Sequence, residues 1–162
     1  MQLELDELIA LCRDHLEQNH IEQALLKIKE VLAQPEPPAG THALAARIYA
    51  RLRLYDRAIG YLQQCLERDP DSLERQIELA MAYQDSGNAD TALRHWDAML
   101  EHHPLLPPAL FNAAWLLAQR KRLADANRHI EVLLQTAPED NLYVGRAREL
   151  QQMVNAAPAL QN

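Results

Sequence analysis

The sequence predicts an all-α fold in which antiparallel helix pairs stack on one another as an α-solenoid. A small residue recurs every 34 residues, at Ala24, Ala58, Ala92 and Ala126. Four and seven residues after each of these alanines stands an apolar residue, as expected for a helix that buries one face. The chain has only 4 glycines, which argues against a sheet with many tight turns. We therefore expect one helix–turn–helix unit to be repeated four times.

Other landmarks keep the same interval and mark where helices approach closely. A large apolar side chain stands four residues after each alanine of the series, at Ile28, Leu62, Trp96 and Ile130. Another small side chain stands twelve residues before each alanine, at Cys12, Ala46, Ala80 and Ala114. Proline closes the units at Pro35, Pro70, Pro104 and Pro138. The small residues predict the positions at which the two helices of a pair touch.

The elements follow in chain order from these landmarks. Helices are predicted at 3–18, 21–34, 41–53, 56–68, 73–86, 89–102, 107–120, 123–136 and 140–155. Pro107 and Pro108 fit the first turn of their helix, where amide protons lack partners. The segment 35–40, which contains Pro35, Pro37 and Pro38, is either a hinge or an ordinary turn between units. The unchanged 34-residue interval across it favours the turn.

The chain is expected to form a single domain over residues 1–155. Its units span about 3–36, 39–70, 73–104 and 107–138, and a capping helix covers 140–155. A stack of repeats needs such a polar-backed cap to cover its last apolar face. The inward side chains of the cap are predicted to be Leu142, Val144, Ala147, Leu150 and Val154. Residues 156–162 are predicted to be a disordered tail.

The 34-residue pattern resembles the tetratricopeptide repeat family. The family signature corresponds in the third unit to Gln76, Leu79, Ala80, Tyr83, Ala92, Trp96 and Pro104. The resemblance extends from Leu3 to Pro138, although the aromatic residue of the first helix is missing and glycine stands at the turn only as Gly87. It implies a right-handed superhelical α-solenoid and a non-catalytic module, or adaptor, that binds a protein or peptide partner.

Charge and composition exclude several other classes of function. A formal net charge of −7 opposes binding to nucleic acid, because phosphate contacts need clustered Lys and Arg. No apolar run reaches the 18 or more residues of a membrane span, so no membrane insertion is expected. The acidic start of the chain does not resemble a secretory signal, and the expected location is cytoplasmic. There, Cys12 and Cys65 are expected to be buried thiols.

The sequence contains no motif that indicates an enzyme. His95, His102 and His103 form the densest histidine cluster, but no acidic or cysteine ligand completes a metal set and the H-E-x-x-H motif is absent. Neither form of glycine-rich phosphate loop occurs. We therefore expect no catalytic residue, no metal and no cofactor.

The resemblance implies that the first helices of the units line a concave groove for a peptide. Carried over by position, the candidate groove residues are Arg13, Arg47, Arg51, Glu78, Met81, Phe111, Asn112, Trp115 and Arg146, with Glu17, Glu74, Asp85 and Glu149 beside them. A carboxylate clamp of the kind that grips chaperone tails in this family is not expected. Its places hold Ala43, Arg47, Glu78, Pro108 and Asn112, which do not match.

Two features of this groove carry specific hypotheses. Arg47 and Arg51 share a helix face at i, i+4 and could hold a carboxylate, or could instead pair with acids such as Glu78 on neighbouring helices. Phe111 and Trp115, also at i, i+4, could form an apolar shelf with Met81 for a bulky ligand side chain. The alternative is that they pack under the capping helix.

Two other functions remain open from the sequence. One is a self-assembling homo-oligomeric scaffold, for example a homodimer, in which an apolar N-terminal helix docks on a second copy through Leu3, Leu5, Leu8 and Ile9. The other is a small secretion-type chaperone that holds a client protein, suggested by size, acidity and repeat type.

Overall fold

The computed structural model describes residues 4–156, and over this range the chain forms nine α-helices and no strand. The helices are α1 (Leu5–Glu17), α2 (Ile21–Leu32), α3 (Thr41–Arg51), α4 (Tyr55–Arg68), α5 (Leu73–Asp85), α6 (Ala89–His102), α7 (Pro107–Gln119), α8 (Leu123–Thr136) and α9 (Leu142–Ala156). Every end lies within two residues of the predicted one. The all-α helical repeat fold is therefore confirmed. Leu3 lies outside the described residues.

The chain divides into two compact units, residues 1–88 and residues 89–162. We call them unit 1, whose described part contains α1 to α5, and unit 2, whose described part contains α6 to α9. The division falls between the two helices of the third predicted repeat. The segment 35–40 lies inside unit 1, where the Thr41 hydroxyl donates a hydrogen bond to the Pro38 carbonyl at 2.7 Å. In this structure it forms a turn between α2 and α3.

The core of unit 1 forms where the small residues of the repeat face each other. Cys12 of α1 and Ala24 of α2 are fully buried, and the Cys12 thiol donates to the Ala24 carbonyl at 3.4 Å. Burial raises the pKa of Cys12 to about 11, so its thiol is neutral at pH 7. A single buried cluster extends from here through α3 to Ala58 of α4. A second one joins α3, α4 and α5 through Ala46, Leu62, Leu79 and Ala82.

The core of unit 2 contains large apolar side chains from all four of its described helices. Trp96 of α6, Leu116 of α7, Ile130 and Leu133 of α8 and Val144 of α9 are fully buried. On α9 the inward residues are Val144, Ala147, Leu150 and Val154, as predicted. Leu142 is an exception, because it begins the helix and is 64% exposed. Helix α9 includes Ala156, and residues 157–162 of the predicted tail lie outside the described residues.

Each helix pair is joined by the same left-handed turn. In these four turns the residues with positive φ are Asn19, Arg53, Gly87 and Lys121, which stand 34 residues apart, at φ of 61°, 59°, 85° and 63°. The amide after each one donates to the carbonyl five residues earlier, at 2.7 to 3.0 Å, in His20–His15, Leu54–Tyr49, Asn88–Tyr83 and Arg122–Leu117. This is the Schellman ending of a helix. It reverses the chain between α1 and α2, between α3 and α4, and between α7 and α8, so these pairs run antiparallel.

Candidate peptide-binding site

Helices α3 and α5 of unit 1 enclose a surface pocket of about 140 Å³. Its apolar floor comes from four side chains, Ala46 and Ala50 of α3, Leu62 of α4 and Ala82 of α5. Small side chains on both helices leave this space open. The rim carries Arg47, Glu78, Met81 and Asp85. Met81, at 41% exposure, presents its thioether beside the opening.

One end of the pocket is closed by an ion-pair network between α3 and α5. Arg47 donates to Glu78 through Nε at 2.9 Å and to Glu74 at 2.6 Å. Arg75 pairs with the same two carboxylates. The hydrogen bond with Glu78 raises the pKa of Arg47. Two guanidinium groups and two carboxylates thus neutralise one another.

The other end of the pocket carries a single carboxylate, that of Asp85 in the last turn of α5. Within residues 4–156, the side chain of Asp85 makes no ion pair or hydrogen bond. Burial raises its pKa, and the positive charge of Arg53 opposes this shift. The pocket is therefore charge-balanced at one end and acidic at the other.

The three predicted groove arginines have different partners. Arg47 is held by Glu74 and Glu78, as the ion-pairing alternative expected. Arg51 donates to the Asn19 side-chain oxygen at 2.7 Å. Arg13 is exposed and forms no hydrogen bond or ion pair to another described residue. A carboxylate ligand would compete with the acids that already neutralise Arg47.

The candidate residues of unit 2 mostly contact their own unit. Phe111 packs against Tyr143 of α9 with ring centroids 5.6 Å apart, and Arg146 lies 5.7 Å above the same Tyr143 ring. Asn112 is only 7% exposed, and its amide donates to the Pro108 carbonyl at 2.7 Å. Phe111 therefore lies under the capping helix, and Asn112 offers little surface to a ligand.

Trp115 borders a second pocket, of about 280 Å³, within unit 2. This pocket is lined by residues of α7, α8, α9 and the α7–α8 turn, including Lys121, Leu150 and Met153. Met81 belongs to unit 1, so the shelf of Met81, Phe111 and Trp115 stays a prediction.

A pocket of about 260 Å³ in unit 2, lined by charged residues together with Leu117 and Val132, lies beside Asp97 of α6 and His129 of α8. Burial lowers the pKa of His129, and the charge of Asp97 opposes this shift. Burial also raises the pKa of Asp97. Both groups are thus shifted towards their neutral forms.

Sequence reasoning missed the pocket floor and one member of the neighbouring ion-pair network. Ala46 and Leu62 were assigned to packing within the repeat, and Arg75 was not considered. The neighbouring alanines at 46, 50 and 82 were a usable signal, because small residues on facing helices leave space beside a long side chain such as Met81.

The described residues contain no group of three or more His, Cys, Asp or Glu that could hold a metal ion. Across residues 4–156, none of the helices has the length and hydropathy needed to span a bilayer.

Repeated helical hairpins define the class of helical-repeat proteins. Two family models, both described as tetratricopeptide repeat, match the sequence: one over residues 49–104 and the other over residues 9–72 and 77–141. The chain therefore belongs to the tetratricopeptide repeat family. A comparison with curated proteins finds no significant match.

Solved structures of tetratricopeptide repeat proteins share this fold. One is a protein from Parabacteroides merdae with a TM-score of 0.75 and 17% identity, over 93% of this chain and 60% of that one. A second is YrrB, a protein with an unusual peptide-binding site, with a TM-score of 0.73 and 17% identity over 87% and 73% of the two chains. A third, from Thermus thermophilus, has a TM-score of 0.72 and 19% identity over 92% and 82%.

Proposed function

We propose that the protein is a non-catalytic adaptor that captures an extended partner segment on the face formed by α3 and α5 of unit 1. The observation that carries the proposal is the open apolar pocket bordered by Met81. One apolar side chain of the partner enters this pocket. YrrB, a similar tetratricopeptide repeat protein, is described as having a peptide-binding site, and this supports a peptide as the ligand.

The size of the pocket sets what it can hold. Its volume of about 140 Å³ is close to that of a cavity, of roughly 150 Å³, that takes up one benzene molecule. It therefore suits one Leu, Met or Phe side chain. Burying such a side chain contributes about 1.5–3 kcal/mol. Micromolar affinity requires about 8.2 kcal/mol, so neighbouring residues of the partner must also contact the surface.

In this proposal Arg47 has a structural role. Its bonds to Glu74 and Glu78 tie α3 to α5 and hold the pocket walls in place. A preformed pocket reduces the conformational entropy that binding costs. The hypothesis that Arg47 and Arg51 grip a carboxylate is therefore replaced by one in which Arg47 positions the walls.

The test is selection of random dodecapeptides displayed on phage against the wild type and three variants. Met81→Asp puts a charge at the opening, and Ala50→Phe fills the pocket from α3. Met153→Asp is the matched control, because Met153 is also an exposed helical methionine, at 62% exposure, but lies in unit 2. Circular dichroism verifies that all four proteins are folded.

We expect the wild type and Met153→Asp to enrich peptides with a shared apolar residue, and Met81→Asp and Ala50→Phe to enrich none of them. If Met81→Asp selects the same peptides as the wild type, the proposal is wrong. Loss of selection in Met153→Asp alone would instead assign binding to the pocket beside Trp115.

A further inference from the structure

We propose that the α3–α5 pocket is selective for a partner segment in which a basic side chain stands two residues from the apolar anchor, and that Asp85 binds this basic group. The inference rests on the proposed function and adds the chemistry of the partner to it. Asp85 would act as a specificity residue, and the segment would be extended over the length of the pocket.

The spacing follows from the geometry of α5. Met81 and Asp85 are one i, i+4 step apart and so lie on the same face of the helix, about 6 Å apart along its axis. In an extended peptide, residues two apart point to the same side and are about 6.6 Å apart. A segment that places one side chain beside Met81 therefore brings the side chain two positions away to Asp85.

The charges around the pocket favour a base at this place. At the opposite end, Glu74 and Glu78 are already neutralised by Arg47 and Arg75. Asp85 lines the pocket without an ion pair among the described residues, and the charge that opposes its pKa shift is that of Arg53. A lysine or arginine of the partner would give this exposed carboxylate a directly paired counter-ion, in addition to the nearby charge of Arg53.

An acidic partner segment fits the same surface poorly. Its carboxylate would approach Asp85, and the positive charge of Arg47 is already neutralised by Glu74 and Glu78. Like charges placed together at an interface oppose binding. Basic peptides should therefore be preferred over acidic ones, and the preference should decrease with salt because the pair is exposed.

The experiment repeats the phage selection of random dodecapeptides with Asp85→Asn and with Asp71→Asn. Asp71 is an exposed acid in the α4–α5 turn, so its substitution changes the net charge equally but away from the pocket. We expect the wild type and Asp71→Asn to enrich peptides that carry Lys or Arg two positions from the apolar anchor. Asp85→Asn should enrich peptides with the same apolar anchor but without a preference for Lys or Arg at that position.

A synthetic peptide with the most enriched sequence then provides a quantitative check. Changing its basic residue to Gln, or Asp85 to Asn, should weaken binding about two- to fivefold, the range of an exposed ion pair. Both changes together should weaken it no more than either one, because the two groups act as a pair. Asp71→Asn should leave the affinity for this peptide unchanged.

The outcomes separate the inference from the proposed function. The inference is wrong, and the proposed function stands, if Met81→Asp abolishes selection but Asp85→Asn still enriches peptides with Lys or Arg two positions from the anchor. The same conclusion follows if Met81→Asp abolishes selection and the wild type itself shows no preference for Lys or Arg at that position. If Met81→Asp leaves selection unchanged, both are wrong.

Discussion

The four turns between paired helices use the same left-handed backbone, but only one of them has a glycine. Asn19, Arg53 and Lys121 adopt positive φ with a side chain, while Gly87 does so without one. A residue with a Cβ pays about 1–2 kcal/mol in this region, and asparagine tolerates it best. The Schellman hydrogen bonds of the turn outweigh this penalty at Arg53 and Lys121.

Two Gly→Ala substitutions in unit 1 should change stability in opposite directions. Gly87→Ala places a Cβ at φ of 85° and should lower the free energy of unfolding by about 1 kcal/mol. Gly60→Ala, in regular helix with open space around its Cβ, should raise it by about 0.5–1 kcal/mol. Urea denaturation of both variants measures the difference. Equal shifts of the same sign would contradict the assignment of Gly87 to a left-handed turn.

The small residue of each first helix is predicted to be intolerant of enlargement. Ala114 of α7 is fully buried and occupies the same register position as Cys12, which contacts Ala24. Ala114→Leu should therefore cost about 1–3 kcal/mol, because the inserted atoms force the helices apart. The control is Ala124→Leu, on the exposed face of α8, which should change stability by less than about 0.5 kcal/mol. Similar effects of the two would argue against close packing at Ala114.

Between helices, the Arg47 network explains how α3 and α5 stay aligned around the pocket. Arg47 joins Glu74 and Glu78 across 27 and 31 residues of sequence. A double-mutant cycle of Arg47→Ala and Glu78→Ala should give a coupling of roughly 0.2–1 kcal/mol, since both side chains are partly exposed. The coupling should shrink at high salt, where exposed charges are screened. A coupling unaffected by 1 M NaCl, or no coupling at all, would contradict this role.

Mild acid should make unit 2 less stable, because burial of His129 in α8 disfavours its protonated form. The folded pKa of His129 lies below its ordinary value, mainly through burial, so the unfolded chain binds the proton more readily. The stability contributed by neutral His129 is present above the unfolded pKa of about 6.5 and decreases as the pH falls towards the folded pKa. His95 of α6 has a pKa shifted in the same direction and for the same reason.

Thermal unfolding at pH 7.5 and at pH 5.5 tests this expectation. The wild type should melt at a lower temperature at pH 5.5, and His129→Gln should show a smaller difference between the two values. Asp97→Asn should show a larger one, because the charge of Asp97 partly supports protonation of His129. A difference that is the same in all three proteins would rule out His129 as a source of the acid sensitivity.

For the molecule as a whole, the helix boundaries could be predicted because they depend on local and periodic information. Ala24, Ala58, Ala92 and Ala126 are all fully buried, so the 34-residue series marks real contacts between helices. These contacts recur in every 34-residue repeat, so the spacing of the alanines predicts them directly. The same reasoning extends to the inward face of α9, where Leu142 departs only because it begins the helix.

The side-chain partners at the candidate site could be predicted only in part. Both Asn112 and Phe111 were placed on the groove face, but they are adjacent residues, which point about 100° apart on a helix. Asn112 faces inward and Phe111 meets α9. The pocket itself lies between two helices that are not consecutive in the chain, α3 and α5. The small residues at 46, 50 and 82 indicate its space, but the 34-residue period does not.

The exposed apolar surface bears on the self-assembly hypothesis. Leu8 and Ile9 of α1, which that hypothesis assigned to contact with a second copy, are buried in the core of unit 1. Leu5 is half-buried against the same core, and Leu3 lies outside the described residues. Of the described part of α1, Leu11 is the large apolar residue that remains exposed. A single exposed leucine is common on monomeric proteins.

Sedimentation equilibrium should therefore give one mass, that of the 18.5 kDa monomer, from micromolar to about millimolar concentration. A net charge of −7 adds repulsion between copies and supports the same expectation. A mass that rises with concentration would contradict it, and Leu11→Glu would then test whether α1 forms the contact. If that variant restored the monomer, the self-assembling scaffold would gain support. A constant mass together with peptide selection by unit 1 would favour an adaptor that acts as a single chain.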